Sequence, residues 1–225
     1  MPGLSCASLT ELWVDREPFD RLPAAARRWL LDAAVTSQLA TGTTLFREGE
    51  PSTTLWVLQA GWVRLNKSMV SGNVVTLEVV TPGHPLVGLS AFSGGPYVAS
   101  AVAATAVVAI RLPAMLLQQL VGRHAPFAAS ALRLVGQRVH QMVTAYAMAF
   151  APVGQRMAGV LVRLTEGFGE TIPLTRRELA ALTGTTVETA IRVTNEFRRA
   201  QLLQLGRGAI RLLDVPRMRD RALAA

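Results

Sequence analysis

The sequence is poor in several residue types that define common classes of protein. Charged residues make up 17% and aromatic residues 6% of its 225 residues, and Cys6 is the single cysteine. One cysteine cannot form an internal disulfide, and it cannot by itself hold an iron–sulfur cluster or a structural zinc ion. The N-terminal residues also lack the basic region and apolar core of a secretory signal.

Long apolar runs are missing as well, although half of the residues are hydrophobic. A membrane-spanning helix needs about 18 consecutive apolar residues. The most apolar stretches are interrupted by four arginines, namely Arg111, Arg123, Arg133 and Arg138. No membrane segment is therefore predicted, a cytoplasmic location is expected, and the length suits one large domain or two small ones.

Positive charge is concentrated towards the C-terminal end. Residues 151–225 hold twelve arginines against seven acidic residues, which accounts for +5 of the formal net charge of +8. A basic segment of this kind favours an anionic partner such as DNA, although charge alone is compatible with many other proteins.

Residues 36–113 have the pattern of short strands separated by turns. Residues 53–66, with the sequence TTLWVLQAGWVRLN, are rich in β-branched and aromatic side chains, and NVVTLEVVTPG follows them. A loop rich in Gly, Pro and Ser, SAFSGGPY, precedes a last apolar stretch, VASAVAATAVVAIRLP. Repeated short strands at this spacing predict a small β-barrel or β-sandwich.

After Pro113 the apolar residues recur with a helical period. A short helix is predicted over residues 114–122 and a long one over 126–150. Within the long helix apolar residues are spaced alternately by four and three, a pattern that predicts pairing with a second copy of the same helix. Packing of this helix on its own barrel is the alternative. The predicted seam comprises Ala128, Leu132, Val135, Val139, Met142, Tyr146 and Ala149.

The C-terminal third has the signals of two short helices joined by a tight turn. Pro152 is expected to end or bend the long helix, and a further helix over 153–166 leads into a loop, GFGETIP. Two matches to the capping-box pattern follow, Thr175 with Glu178 and Thr185 with Glu188, and LTGT lies between them. Helix, glycine turn and helix predict a helix-turn-helix. The sequence LLQLGRGAIRLLD then predicts a β-hairpin, or wing.

Two stretches give the chain its resemblance to a known family. LFREGEPSTTLWVLQAGWVRL, with Gly49 and Gly61 at turn positions, and LTRRELAALTGTTVETAIRVTNEFRRAQLL resemble the β-roll opening and the helix-turn-helix of the CRP/FNR family of bacterial transcription regulators. The match runs in the family's domain order from about residue 19 onward.

The resemblance implies an α+β fold that begins with a double-stranded β-roll, a cyclic-nucleotide-binding-like jelly roll. This effector or sensor domain with its flanking helices would occupy residues 1–125, a dimerisation helix 126–150, and a winged helix-turn-helix DNA-binding domain 151–225. The expected function is a transcription regulator, not an enzyme. It would act as a homodimer on a near-palindromic double-stranded DNA site, with RNA polymerase as a further partner and no membrane partner.

The resemblance also implies which residues meet DNA. Glu188 and Arg192 match two base-contacting positions, and Val187 stands where the family has a basic base-contacting residue, so that hydrogen bond is lost. Arginine can donate to guanine and glutamate can accept from cytosine. The alternatives are a surface salt bridge between Glu188 and Arg192, and use of Glu188 as a cap. Contact with the DNA backbone, or a solvated surface position, is expected of Thr175, Arg176, Arg177, Thr186, Arg198, Arg199 and Arg207.

The effector cassette departs from the family's cyclic-AMP pattern. Gly88-Leu89 and Tyr97-Val98 replace the Gly-Glu and Arg-Ser pairs that hold the ribose and the phosphate, and no basic residue lies between His84 and Arg111. Cyclic AMP is therefore not the expected effector. Oxygen sensing would need more cysteines than Cys6, and the three histidines, His84, His124 and His140, lack metal-ligand spacing.

The effector is left open, and no cofactor or metal is predicted. A candidate pocket for an apolar or carboxylate ligand comprises Arg64, Leu89, Tyr97 and Ser100; the other possibility is a pocket filled by side chains. A metal-dependent cupin enzyme is disfavoured because VVTLEVVTPGH offers only Glu78 and His84 as ligands. A cyclic-nucleotide-responsive regulator and a winged-helix protein-interaction module remain alternatives. The target promoters and the sign of regulation are open.

Overall fold

The computed structural model describes residues 13–69, 74–82 and 86–223, so Cys6 and His84 lie outside the described residues. These residues form two compact units, one built from residues up to 67 and from 80 to 141, the other from 68 to 79 and from 142 onward. The predicted α+β fold class, with an N-terminal β-roll and a C-terminal helix-turn-helix, is confirmed. No helix in the described part of the chain is long and apolar enough to span a membrane.

The first unit begins with a 3₁₀ turn and a helix that the sequence pattern did not predict. The turn covers Phe19–Arg21 and the helix, α1, covers Ala24–Ala33. Eight strands follow along the chain, from one residue before the start of the predicted strand region, and a second 3₁₀ turn, Leu89–Phe92, lies between β6 and β7. Most of β5 belongs to the segment that is grouped with the second unit. The strands are β1 Val35–Leu39, β2 Thr44–Phe46, β3 Thr54–Ala60, β4 Val63–Ser68, β5 Val74–Val80, β6 Leu86–Val87, β7 Ser100–Ala103 and β8 Val107–Pro113.

Two antiparallel sheets form the β-roll. In the first sheet the strand order is β1-β8-β3-β6, and Val35 pairs with Arg111 and Trp56 with Val87. In the second sheet β7 pairs with β2 on one side and with β4 on the other. Pairing of β1 with β8 joins the first and the last strand of the roll, which are far apart in the sequence.

Strand β3 contributes to two separate apolar cores because its side chains alternate between the two faces of its sheet. Leu55 and Val57 join a core with α1 and the helices that follow β8, whose members include Phe19, Leu30, Leu117 and Phe127. Trp56 and Leu58 point the other way, into the space between the two sheets, where they meet Phe46, Val63, Tyr97 and Ala101. Burial on both faces explains why this strand is apolar almost throughout.

Gly61 makes the tight connection between β3 and β4 possible. Its φ is +75°, and a Cβ atom placed on it would lie 2.2 Å from the carbonyl oxygen of Ala106. Both the backbone conformation and the space therefore require glycine at this position.

Two helices follow the roll: α2, Ala114–Arg123, and α3, Ala125–Met148. The long helix thus ends two residues before the predicted boundary, at a turn formed by residues 149–151. Its first turns are anchored by Phe127 and by Ser130, whose hydroxyl donates to a Glu17 carboxylate oxygen at 2.6 Å. Arg133 donates to the same oxygen, and these hydrogen bonds lower the pKa of Glu17.

The second unit contains four helices and a small sheet. Helix α4, Val153–Phe168, extends two residues beyond its predicted end, and the segment predicted as a loop contains strand β9, Thr171–Ile172. Helices α5, Arg176–Thr183, and α6, Val187–Arg199, form the predicted helix-turn-helix. The order of the sheet is β10-β11-β9. Its hairpin strands are β10 Leu203–Gly206 and β11 Ala209–Leu212, and the unpredicted helix α7 covers Val215–Leu223.

Candidate functional site

The first helix of the helix-turn-helix starts at the predicted capping box. The Thr175 hydroxyl accepts from the Glu178 backbone N–H at 3.2 Å, and a Glu178 carboxylate oxygen accepts from the Thr175 backbone N–H at 2.8 Å. The helix ends at Gly184, whose φ is +60°, and the Thr185 N–H donates back to the Ala180 carbonyl at 3.0 Å. This left-handed residue turns the chain sharply enough for α6 to begin a few residues later.

The second predicted capping box is wrong. The cap of α6 is Thr186 and not Thr185, and its hydroxyl accepts from the Thr189 N–H at 3.2 Å. A capping box needs the glutamate at the third helical position, and with Thr186 as the cap Glu188 stands at the second. Among the described residues Glu188 has no hydrogen bond or ion pair, so its exposed carboxylate is not used to cap the helix.

Helix α6 has one apolar face and one polar face. Its buried residues are Ala190, Val193, Thr194 and Phe197, which pack inward at a helical spacing. The outward face consists of exposed side chains, namely Glu188, Ile191, Arg192, Glu196, Arg198 and Arg199, while Val187 is half-buried at the start of the helix. The structure therefore brings Glu188 and Arg192 together on one solvent-facing surface, as their spacing of four predicts.

The Arg192 guanidinium pairs with Glu196 and not with Glu188. Its Nη1 donates to Glu196 Oε1 at 2.9 Å, and both side chains are more than half exposed. An exposed pair at this spacing stabilises a helix by only about 0.3–0.5 kcal/mol, so the bond is easily exchanged. Glu196 fixes one side of a guanidinium that has five N–H donors and leaves the others directed to solvent.

The residues predicted to contact the DNA backbone, including Arg199 in the last turn of α6, are all exposed in the second unit. Thr175, Arg176 and Arg177 stand at the start of α5, and Thr186 stands at the start of α6, where backbone N–H groups favour anions. Arg198 lies in the last turn of α6. Arg207 occupies the tip of the β10–β11 hairpin, in a two-residue turn with Gly208 at φ +70°.

Arg156, on α4, is a residue that sequence reasoning missed. Its guanidinium donates to the carbonyls of Thr183 and Gly184, at the C-terminal end of α5, at 3.0 and 3.4 Å. It also donates to the carbonyls of Ala149 and Ala151, which follow α3, at 3.2 and 3.1 Å. One cation thus satisfies carbonyl groups at the ends of two helices, where the negative ends of both helix dipoles lie. A polar residue inside an apolar helical pattern was the only sequence signal for it.

Two cassette residues of the β-roll, Gly88 and Tyr97, meet at an aromatic stack. The rings of Phe46 and Tyr97 are stacked with centroids 3.7 Å apart. The Tyr97 hydroxyl donates to the Thr54 carbonyl at 2.7 Å and accepts from the Thr54 N–H at 3.1 Å. Burial raises the pKa of Tyr97. A Cβ on Gly88, which has a φ of +85°, would lie 2.9 Å from the Tyr97 ring, so the glycine lets the ring occupy this position.

The four candidate pocket residues belong to different parts of the β-roll. Leu89 packs against the core next to the helices, whereas Tyr97 belongs to the core between the sheets. Ser100 accepts from the Glu48 backbone N–H at 3.0 Å, and Arg64 stands opposite Val102 in the register of β4 and β7. No group of three or more potential metal ligands occurs among the residues that the structure describes.

A basic residue from outside the cassette reaches it, which the sequence did not show. Lys67, at the end of β4, donates to the Val98 carbonyl at 3.1 Å and pairs with Glu48 at 2.8 Å. No basic residue lies between His84 and Arg111 in the sequence, but Lys67 lies beside this segment in the folded structure. Because Glu48 is in contact with Lys67, the net charge of the pair is zero.

Helix α3 carries an exposed apolar stripe from Leu132 onward. Leu132, Val139, Met142 and Tyr146 of the predicted seam are exposed, with 73% of Leu132 and 69% of Tyr146 accessible. Val135 is half-buried in its own chain, and Ala149 lies beyond the end of the helix. Val143 and Phe150, which were not predicted, are exposed on the same side. An exposed apolar stripe of this size is unusual on a monomeric protein and is typical of an interaction surface.

Two known protein-family models match different parts of this chain. The family model of the cyclic nucleotide-binding domain matches residues 36–124, and that of the Crp-like helix-turn-helix domain matches residues 155–221. The two matches together span more than two thirds of the chain. They coincide with the β-roll and with the segment that contains α5, α6 and the wing.

Two transcription-related proteins are similar to this chain over most of its length. The CRP-like cAMP-activated global transcriptional regulator of Mycobacterium tuberculosis is 28% identical over 204 residues, which cover 84% of this chain and 91% of the relative. The cyclic AMP receptor protein of Thermus thermophilus is 28% identical over 171 residues, 75% of this chain and 79% of its own length.

Solved structures agree with this assignment. FixK2 from Bradyrhizobium japonicum superimposes with a TM-score of 0.78 at 19% identity, over 85% of this chain and 98% of that one. A transcriptional regulator of the CRP/FNR family from Thermus thermophilus has a TM-score of 0.63 at 28% identity, over 84% and 99%. With both domain matches in the same order as the observed fold, the chain belongs to the CRP/FNR family of transcription regulators and carries that family's helix-turn-helix DNA-binding domain.

Proposed function

We propose that this regulator binds a near-palindromic DNA site as a homodimer, reads bases through α6, and does so without cyclic AMP. The observation that carries the proposal is the outward face of α6, where Glu188 and Arg192 are both exposed on the second helix of the helix-turn-helix. In this proposal residues 1–125 form the sensor domain, 126–150 the dimerisation segment and 151–225 the DNA-binding domain.

The exposed face of α6 has the chemistry to discriminate between base pairs in the major groove. Arg192 can donate two hydrogen bonds to guanine O6 and N7, and Glu188 can accept one from cytosine N4. The Glu196 contact is weak and easily exchanged, so it does not prevent the Arg192 guanidinium from reaching a base. Arg176, Arg177, Arg198 and Arg207 would neutralise phosphates around this face, with Thr175 and Thr186 donating from the helix starts.

The apolar stripe on α3 supports the homodimer. Its exposed residues follow a spacing of four and three, which is the spacing that a paired helix requires. The proposed seam keeps Leu132, Val139 and Tyr146 of the sequence prediction. It uses Gly136 in place of Val135, which is half-buried in its own chain, and the exposed Val143 in place of Met142. The stripe comprises Leu132, Gly136, Val139, Val143, Tyr146 and Phe150. Gly136 would allow the two helices to approach closely, since nothing lies within 4 Å of the space for its Cβ.

The aromatic filling of the β-roll supports independence from cyclic AMP. The phosphate of the nucleotide is a permanent anion, and burying it without a counter-charge costs several kcal/mol. Leu89 and Val98 offer no charge, Lys67 is already paired with Glu48, and the stacked rings of Phe46 and Tyr97 are buried in the core between the sheets. Two relatives are named for cyclic AMP, but the residues at these positions of this chain do not suit its ribose or phosphate.

Selection of DNA fragments by the purified full-length protein tests the function. We expect an enriched near-palindrome with half-sites about one helical turn apart. On that site Arg192→Ala should weaken binding by about 1–3 kcal/mol and relax preference at one guanine, whereas Arg177→Ala should weaken all sequences alike and reduce the salt dependence. Failure to enrich any sequence, or an Arg192→Ala protein with unchanged affinity and base preference, would contradict the proposal.

Two further measurements test the dimer and the effector. Val139→Asp together with Tyr146→Asp should give a monomer in analytical ultracentrifugation, while Met115→Asp, at an exposed apolar residue on α2, should leave the dimer intact. Titration calorimetry with cyclic AMP should show no saturable binding, and DNA affinity should be the same with and without the nucleotide. Micromolar binding that raises DNA affinity would show that cyclic AMP is the effector.

A further inference from the structure

Ile191 is an apolar side chain on an otherwise polar surface of α6. The other apolar side chains in the body of this helix, Ala190, Val193 and Phe197, are buried, whereas 37% of Ile191 is accessible. It stands three residues after Glu188 and directly before Arg192. Its position is therefore on the face that carries the base-reading residues and not on the face that packs against the unit.

The helical geometry places Ile191 beside the line from Glu188 to Arg192. Successive residues are separated by about 100° and by about 1.5 Å along the axis, so Ile191 is about 60° to one side of Glu188 and about 4.5 Å further along. A β-branched side chain in a helix has one strongly preferred χ1 rotamer. The two methyl-bearing arms of Ile191 are thus presented in a fixed direction on the outward face of α6, about 100° around the helix from Arg192, whose guanidinium points towards Glu196.

Only one base offers an apolar group to such a side chain in the major groove. All four bases present hydrogen-bonding atoms there, and thymine alone also presents a methyl group, at C5. We propose that Ile191 is a specificity-determining residue that contacts the C5-methyl group of a thymine next to the base pair read by Arg192. The inference rests on the proposed function, since it requires α6 to enter the major groove.

Deoxyuridine provides a direct test, because it differs from thymidine only by lacking that methyl group. In the selected site each thymine is replaced by deoxyuridine, one symmetry-related pair at a time, and affinity is measured by titration. Burying one methyl group corresponds to about a fourfold change in affinity, or about 15-fold when both half-sites lose it. We expect a loss of this size at one thymine position in each half-site and smaller changes at the others.

The same scan with Ile191→Ala identifies the protein partner of the methyl group. This variant should bind the thymine site as weakly as the wild-type protein binds the deoxyuridine site, and should no longer distinguish the two. Ile191→Val, which keeps the β-branch, should retain part of the discrimination. Leu213→Ala removes an exposed apolar side chain of the same unit outside α6 and should leave the scan unchanged.

The outcomes separate this inference from the proposed function. If the protein selects no DNA sequence, both are overturned. If it reads a guanine through Arg192 but no thymine is sensitive to deoxyuridine, only the role of Ile191 is overturned. The same holds if the sensitive thymine remains sensitive in Ile191→Ala, because the methyl group would then have another partner, such as Val187.

Discussion

Arg156→Met should loosen the helix-turn-helix, because one guanidinium holds four backbone carbonyl groups. Methionine keeps most of the length and the apolar stem of the side chain and removes only the donors. The acceptors belong to the turn after α3, at Ala149 and Ala151, and to the end of α5, at Thr183 and Gly184. The change therefore tests the hydrogen bonds rather than the packing.

The expected loss is smaller than four separate bonds would suggest. Hydrogen bonds to a charged group contribute about 1.5–3 kcal/mol each, but a carbonyl that water can reach recovers most of that value. Gly184 is exposed and its bond is the longest of the four at 3.4 Å, whereas Thr183 is buried and its bond is 3.0 Å. Counting the Thr183 bond in full and the others in part, with a small helix-dipole contribution, gives about 2–4 kcal/mol.

Hydrogen exchange of the full-length protein, followed by mass spectrometry, measures this loss where it should occur. Peptides that cover α5 and α6 should exchange about 30- to 1000-fold faster in Arg156→Met, which is the same free energy expressed as an opening equilibrium. Arg163→Met is the matched control, since Arg163 lies on the same helix and has no hydrogen bond among the described residues. If the two variants exchange alike, the hydrogen bonds of Arg156 contribute nothing to the stability of the helix-turn-helix, which would contradict the prediction.

Three further changes test the contacts of the fold. Gly61→Ala should lower the free energy of unfolding in urea by about 2–5 kcal/mol, because alanine disfavours the left-handed backbone and its Cβ would clash with the Ala106 carbonyl. Gly42→Ala is the control, since Gly42 has a φ of +86° but open space around it, and should show only the backbone cost. The lowered pKa of Glu17 means that its contribution to stability is present at neutral pH and is lost as the pH falls below about 4.3. Glu17→Gln should therefore flatten the decline of melting temperature in acid, and an unchanged pH profile would count against this. Gln201 has a φ of +57° at the end of α6, so Gln201→Gly should raise stability by about 0.5–1 kcal/mol; a drop in melting temperature would refute the backbone argument.

The helix-turn-helix could be predicted closely because its signals lie within a few residues of one another. Thr175 and Glu178 cap each other across three residues, and Gly184 provides the left-handed turn within the same segment. The second cap was misassigned because Thr185 and Thr186 are adjacent residues of equal capping ability. Which threonine caps α6 depends on where the chain leaves Gly184, and this is a property of the folded turn.

The ion-pair partner of Arg192 likewise could not be predicted from sequence spacing. Glu188 and Glu196 stand four residues before and four residues after it, so both are neighbours on the helix surface. The spacing alone cannot choose between them, and the side-chain conformation of Arg192 selects Glu196. That selection leaves Glu188 exposed, which is the arrangement that the proposed base contact needs.

Taken by itself, the sequence determined the strand-rich region, the long helix, the helix-turn-helix with its wing and the family resemblance, because these depend on local periodicity, caps and turns; it missed α1, β9 and α7. Tertiary structure alone decided the contacts between residues far apart in the chain. Phe46 stacks on Tyr97, Lys67 reaches Val98, and Arg156 joins two helix ends, and in each case the partners are separated by many residues. Such contacts form only when whole elements pack, so their geometry depends on the shape of the core and not on any local pattern.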